Sequence, residues 1–448
     1  MKLTFYGGAG NVTGANYLLE SGGHKIVVDC GMEQGSRFAE RSNFESFAYN
    51  PAEVSAIFVT HAHIDHIGRI PKFWRDGFRG QIYSSRPTKD FADLLLLDTE
   101  HIMEKEAEHH GKTPLFTAYE IHEAMKLWHG LEYHKPITIG PFTVELYDAG
   151  HILGSVVYKI SAEGKTIAFS GDLGNFPAPI IMPTEPLPDV NYCVIESTYG
   201  DRVHENVTTR EAELEKAITD IEARKGVLLI PAFAMERTQD LLYHLNDIIE
   251  KKHVPRIPVY VDSPLAIKLT VVYKKYEDYF NKEAHGLVES GDDILNFPGL
   301  HLTLSTEQSK EINDVPPPKV IIAGSGMSHG GRILHHELRY LPDPNNILLF
   351  VGYQGSGSLG RSILDGAEHV TIFGEDVPVR CERRSLSGYS AHADQPHLLS
   401  WLAPRKTTLK KVFVVQGEPP ASAALADHIR KDLGVEAIVP TTNQTVEL

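Results

Sequence analysis

The chain has 448 residues, 42% of them hydrophobic and 23% charged, a soluble globular composition too long for one comfortable core, so two domains are expected. No stretch approaches the roughly 20 apolar residues of a membrane span. The opening Met1-Lys2-Leu3-Thr4-Phe5-Tyr6-Gly7-Gly8 reads as a strand and turn, not a secretory signal, so a cytoplasmic location is expected. The net charge of −16 argues against broad nonspecific nucleic-acid binding, though not against a locally positive cleft.

In chain order, short β-branched and aromatic runs broken by Gly and Asn, such as 15–20 and 25–29, predict antiparallel strands within residues 2–60. The apolar run Ala56-Ile57-Phe58-Val59-Thr60 then delivers His61-Ala62-His63-Ile64-Asp65-His66. Three imidazoles and a carboxylate within six residues at a strand end form a metal-ligand pattern. In a chain leaving a strand, alternate residues face the same way, so His61, His63 and Asp65 converge while His66 faces an adjacent pocket. Imidazole favours zinc over magnesium or calcium, with iron and manganese as alternatives.

Residues 88–110 read as a helix, and strands follow near 142–147, 156–161 and 166–170. From about 201 the pattern changes. Thr208 with Glu211 forms a capping box. The continuous apolar runs 226–230, 258–261, 319–323 and 347–351 then alternate with amphipathic helices, which predicts a parallel sheet covered on both faces. Val315-Pro316-Pro317-Pro318 reads as a rigid surface turn, and His335 and His336 as structural residues of a helix. Beyond 384 come His392, a helix near 396–402 and a strand at 411–415. Cys30, Cys193 and Cys381 are too dispersed for a zinc-type pair and are read as buried, reduced thiols.

Further positions join the histidine cluster: Asp29 before Cys30-Gly31, His151 in Asp148-Ala149-Gly150-His151-Ile152-Leu153-Gly154-Ser155, and Asp172 in Phe169-Ser170-Gly171-Asp172. With these the chain resembles the metallo-β-lactamase superfamily. Glu196 in Ile195-Glu196-Ser197-Thr198-Tyr199-Gly200-Asp201-Arg202 and His392 in Gly388-Tyr389-Ser390-Ala391-His392-Ala393-Asp394 are similar to the first two signature motifs of the β-CASP nucleases. The likeness is to the cleavage-and-polyadenylation-endonuclease type, in its bacterial and archaeal form without an added RNA-binding domain. Pro231-Ala232-Phe233-Ala234-Met235-Glu236-Arg237-Thr238-Gln239 and Val351-Gly352-Tyr353-Gln354 extend it across the chain. The resemblance implies an α/β protein, a metallo-β-lactamase αββα sandwich with an inserted α/β β-CASP domain carrying a parallel sheet. The expected boundaries are 1–200, 201–384 for the insertion, and 385–448.

On this reading His61, His63 and His151 form a three-imidazole zinc site, with Asp65, His66 and a bridging Asp172 forming a second. Metal binding lowers the pKa of water from about 16 to about 7, so a hydroxide between two ions is the expected nucleophile. Asp29 is implied to orient the histidine loop; taken alone it is equally a strand-end carboxylate capping a glycine turn. Catalytic candidates are Asp65, His392 as the general acid for a leaving alkoxide, and Glu196 as the group that holds the His392 tautomer. Arg237, Ser325 and Gly326 are candidate phosphate contacts, although the Gly324-Ser325-Gly326-Met327 loop also reads as an ordinary strand-to-helix turn.

One position departs from the family. RNA-cleaving members carry His-Gly-Glu after the late strand, the histidine serving the second metal, whereas this chain has Gln416-Gly417-Glu418. An amide is a poor zinc ligand, so an under-occupied second zinc site is expected. The combined reading is a metal-dependent phosphodiesterase, a ribonuclease cleaving single-stranded RNA in processing or decay. It has an RNA partner, no membrane partner, and a homodimer as a possibility. The alternatives are a hydrolase of a small ester or thioester and an RNA-binding pseudoenzyme.

Overall fold

The structure, a computed structural model, describes residues 1–35, 41–110, 113–204, 210–250, 254, 256–352, 354–355, 357–386 and 390–448, at 109 and 110 by backbone alone. Thr208 of the expected capping box, Tyr353 and residues 387–389 lie outside the described residues.

Two compact units emerge: Met1–Ala178, Met182–Val203 and Ala391–Leu448 form the first, and Pro179–Ile181 with His204–Ser390 the second. These edges differ from the expected 201 and 384 for local reasons. Gln395 donates from its backbone and its side chain to the carbonyls of Arg202 and Gly200, which ties 200–202 to the first unit. The strand Glu382–Ser385 pairs with Ile347–Phe350, and Leu386 N bonds Phe350 O, which keeps 382–386 in the second.

In the first unit, one seven-stranded sheet runs, in spatial order, Gln444–Glu447, Lys2–Gly7, Asn16–Ser21, His24–Val28, Val54–Phe58, Gln81–Ser85 and Trp128–Leu131. The other runs Glu436–Ile438, Lys411–Val415, Tyr192–Glu196, Lys165–Phe169, Val156–Ala162, Phe142–Asp148 and Ile137–Ile139. Their inner faces share one core, with Leu3, Phe5, Tyr17 and Phe58 from the first sheet against Phe142, Tyr158, Phe169 and Phe413 from the second. Phe142–Asp148 shows why the pattern works: its alternate residues are buried, those between more exposed, as a period of two requires. Fully burying each large side chain here contributes roughly 1.5–3 kcal/mol. Helices Gln395–Leu402 and Pro419–His428 cover the outer face of the second sheet through Leu398, Leu402, Leu425 and Ala426. Helix Arg86–His110 packs on Gln81–Ser85 and Trp128–Leu131 of the first. This is the αββα sandwich.

The wholly antiparallel expectation for residues 2–60 is corrected at Val54–Phe58, which pairs parallel with His24–Val28. The long connection between them permits the crossover that a parallel pair needs. The parallel pairing matters because it brings the residues that follow the two strands, Asp29 and Thr60, to the same end of the sheet.

The second unit holds a six-stranded parallel sheet, in the order Leu300–Leu302, Val259–Asp262, Lys319–Ala323, Val227–Pro231, Ile347–Phe350 and Glu382–Ser385. Its four central strands are buried at every residue, which explains the unbroken apolar runs in the sequence. No helix among the described residues is long and apolar enough to cross a membrane.

Candidate metal centre

The centre grows from the strand ends of the sandwich. Asp29 follows His24–Val28 with φ of 58°, a left-handed position that Asp tolerates. Its side chain accepts from Thr60 N at 2.8 Å and Thr60 Oγ1 at 2.8 Å, and Oδ2 lies 2.8 Å from His66 Nδ1. One buried carboxylate therefore fixes both ends of the Thr60–His66 loop. Gly31 closes the other side. A Cβ there would stand 1.5 Å from the Asp65 carbonyl oxygen, so only glycine lets the loop lie this close. Short backbone bonds from Ala15 N to Asp65 O and from Cys30 N to His66 O complete the clamp.

Within it, His61 Nε2 and His63 Nδ1 are 2.9 Å apart, and His151 Nε2 is 3.3 Å from His63 Nδ1. Asp172 Oδ2 lies 3.4 Å from His61 Nε2 and 3.6 Å from His151 Nε2. His61, His63, His151 and Asp172 thus each offer a donor within 4.8 Å of the others. His61 and His151 are fully buried, and burial with the neighbouring imidazoles holds both well below the usual histidine range. They are neutral with lone pairs available. Three imidazole nitrogens and a carboxylate oxygen at this spacing fit a zinc-type ion.

Asp172 faces two ways. Its other oxygen, Oδ1, is 3.4 Å from His66 Nε2, which in turn is 3.7 Å from Asp65 Oδ2. Burial raises the Asp65 carboxyl to about 6. Burial also disfavours an imidazolium at His66, but the carboxylates of Asp172, Asp29 and Asp65 outweigh it and hold the ring above its ordinary range. This corner favours positive charge. Gln416 closes it: Nε2 lies 3.0 Å from Asp172 Oδ1 and 2.9 Å from His66 Nε2.

Beside the cluster, Glu196 ends the strand Tyr192–Glu196, fully buried. Its Oε1 accepts from Leu173 N at 2.6 Å, and its Oε2 lies 3.1 Å from His392 Nδ1. His392 is held by a bridge to Gly174 and keeps a quarter of its side chain exposed. Burial, which disfavours its charged form, is outweighed first by Glu196 and then by Asp172 and Asp65, so the ring is raised to about 9. Asp172, Glu196 and His392 also lie within 4.8 Å of one another. Both Glu196 oxygens are already engaged, so this trio is less open to an ion than the first group.

Asp29, His61, His63, Asp65, His66, His151, Asp172, Glu196, His392 and Gln416 therefore all meet in the first unit. Arg237, Ser325 and Gly326 belong to the second, and each is engaged locally. Arg237 is buried against Asp240 Oδ2 at 2.8 Å. The Ser325 hydroxyl accepts from His329 N and Gly330 N. Gly326 is needed for packing, since a Cβ would meet the Phe233 ring at 2.7 Å. The anion-cradle expectation gains no geometric support, because the loop's own serine uses two of the N–H groups a phosphate would take. Likewise His336 is structural, with Nε2 2.7 Å from Asp262 Oδ2.

Sequence reasoning missed Thr60 and Tyr17. The Thr60 hydroxyl, which donates to Asp29, lies 3.1 Å from His61 Nδ1 and 3.2 Å from His66 Nδ1; its place next to His61 was the available signal. Tyr17 sits within an apolar strand, where nothing marks its hydroxyl as reaching Gln416.

Comparison with known proteins follows the same division. Residues 9–192 match the metallo-beta-lactamase superfamily, 238–363 the Beta-Casp domain, and 376–440 the Zn-dependent metallo-hydrolase RNA specificity domain. The chain is 37% identical over 425 residues to Ribonuclease TTHA0252 of Thermus thermophilus, covering 95% of each. It is 29% identical to Transcription termination factor FttA of Methanosarcina mazei, covering 100% of this chain and 72% of that protein. A crystal structure of a protein of unknown function from Enterococcus faecalis matches with a TM-score of 0.55 at 14% identity, over 100% of this chain and 99% of that one; this supports the fold alone.

Proposed function

Because this chain belongs to the β-CASP family of metallo-β-lactamase-fold hydrolases, we propose that it is a metal-dependent ribonuclease acting on single-stranded RNA in the cytoplasm. The observation that carries the reading is the Glu196–His392 pair beside the buried His61–His63–His151–Asp172 group. A thioester hydrolase, whose thiolate leaving group is already weakly basic, has little need of such a held proton donor.

His61, His63, His151 and Asp172 are the residues that would hold zinc, which when bound lowers the pKa of water to about 7 and polarises the phosphoryl group. The chain's own residues supply the rest. Asp65, with its carboxyl raised to about 6, accepts a proton from the attacking water near neutral pH. Glu196 fixes His392 through Nδ1, so proton donation to the leaving ribose oxygen falls to Nε2. Asp29, through Thr60 and His66, holds the ligand loop in place. Support for RNA as substrate comes from the relatives' names and from the match to the RNA specificity domain.

The test is incubation of the purified protein with 5′-labelled single-stranded RNA, beside His392→Ala and Asp172→Ala. Cleavage by the parent protein that is lost with Asp172→Ala and slowed with His392→Ala is the expected result. RNA left intact at any metal supplementation, or cleaved equally by all three, overturns the reading.

A further inference from the structure

Gln416, read above as a departure from the family motif, has unusually well fixed surroundings. Its backbone takes a φ of 48°, its N–H donates to Gly8 O at 2.6 Å, and its carbonyl accepts from Ser197 N and Thr198 Oγ1. The side chain is buried. Tyr17, itself buried in the sandwich core, donates its hydroxyl hydrogen to Oε1 at 3.3 Å. The opposite end, the –NH2 group, meets Asp172 Oδ1 at 3.0 Å and His66 Nε2 at 2.9 Å.

Those two atoms, with Asp65 Oδ2, are the donors that a second metal would use. The amide nitrogen sits against the first two, and it has no lone pair to give an ion. The Asp172 carboxylate sets the sense of the amide, since Oδ1 only accepts and is met by Nε2 at 3.0 Å. Turning the amide over would set Oε1 3.0 Å from the Asp172 carboxylate, two acceptors in contact. The residues at this second position therefore do not fit a metal ion.

We infer that the centre is mononuclear: the Gln416 amide takes the place of a second ion, donating to Asp172 Oδ1 and filling the space against His66 Nε2 while one ion binds at His61, His63, His151 and Asp172 Oδ2. Gln416 is thus a positioning residue. This inference rests on the metal-dependent reading above but concerns the number of ions, not the substrate.

The test counts metal without reference to activity. Full-length protein is loaded with excess zinc, freed of unbound ion by gel filtration, and measured by elemental analysis, beside Gln416→His and Gln416→Glu. About one zinc per chain is expected for the parent and close to two for the variants, each of which puts a lone pair where the amide hydrogens point. Two per chain in the parent overturns the inference, since the amide would then have turned to present Oε1. One per chain in both variants overturns it as well, because Gln416 would not be what sets the number. Should Gln416→His fail to fold, the nearly isosteric Gln416→Glu carries the test alone. A parent with two zincs that cleaves RNA removes this inference and leaves the ribonuclease reading standing; one zinc without RNA cleavage does the reverse.

Discussion

Glu196→Gln separates two roles that one carboxylate holds at once. The replacement keeps an oxygen for Leu173 N, whose bond at 2.6 Å anchors the turn after Asp172, so the fold and the metal group should survive. What changes is the partner of His392 Nδ1, from a charge 3.1 Å away to a neutral amide. Burial alone would press His392 below its normal range, and Glu196 is the largest influence raising it to about 9. Without that charge the ring titrates lower, with the ordinary value of about 6.5 as the limiting case. The sign follows directly: a general acid works in its protonated form, so activity is retained below the folded pKa and lost above it. At pH 8 about 90% of a group of pKa 9 is protonated, against about 3% of one at the limiting 6.5, so the ratio reaches at most about 30. At pH 6 the two fractions are nearly equal. The assay is single-turnover cleavage of labelled RNA from pH 6 to 8, with metal content measured in parallel. The ratio of parent to variant rates should climb through this range while metal content stays constant. A ratio that is flat across it would refute the assignment of His392 as an acid tuned by Glu196, and would leave Glu196 as an anchor for Leu173 alone.

Other substitutions probe the remaining links. Asp172→Ala removes the carboxylate whose two oxygens face the two halves of the centre, so bound zinc should fall to well under half of the parent value by elemental analysis and RNA cleavage should drop by at least about 10². Gly31→Ala touches no ligand side chain, yet its methyl would sit 1.5 Å from Asp65 O; a destabilisation of about 1–3 kcal/mol is expected in denaturant unfolding, together with weaker zinc retention. Dialysis against a chelator should abolish cleavage, and stoichiometric zinc should restore it; activity that persists at undetectable metal would contradict the ligand assignment.

Legibility in the sequence followed the range of the interactions involved. Local groups were readable: His61, His63, Asp65 and His66 lie within six residues, and strands buried on both faces announce themselves as apolar runs. Motif likeness extended this to His151, Asp172, Glu196 and His392, whose meeting depends on pairing between strands far apart in the chain, such as Tyr192–Glu196 with Lys411–Val415. Edge strands were missed because their residues pack on one side only, as in Glu382–Ser385, where Arg383 and Arg384 disguise the strand. Arg237 and Ser325 looked like anion contacts because sequence shows a cation or a glycine loop but not the partner already waiting for it, here Asp240 and the N–H groups of His329 and Gly330. Gln416 was recognisable as a departure. That its amide reaches Asp172, His66 and Tyr17 at once required coordinates.

The pairing of Lys2–Gly7 with Gln444–Glu447 and of Tyr192–Glu196 with Lys411–Val415 has a consequence for the chain while it is being made. Both strands must wait, edges bare, through translation of the whole insertion, on the order of tens of seconds at ordinary elongation rates. Exposed edges of this kind invite mispairing with other nascent chains, so the first unit should be the more dependent on chaperones, and the second, contiguous from His204 to Ser390 apart from three residues, the readier to fold as it emerges. The same order of synthesis is a safeguard. A growing chain can carry His61, His63, His151 and Asp172 long before residue 392 exists, so on the proposed assignment a chain still tethered to the ribosome beside messenger RNA has its ligands but not its acid.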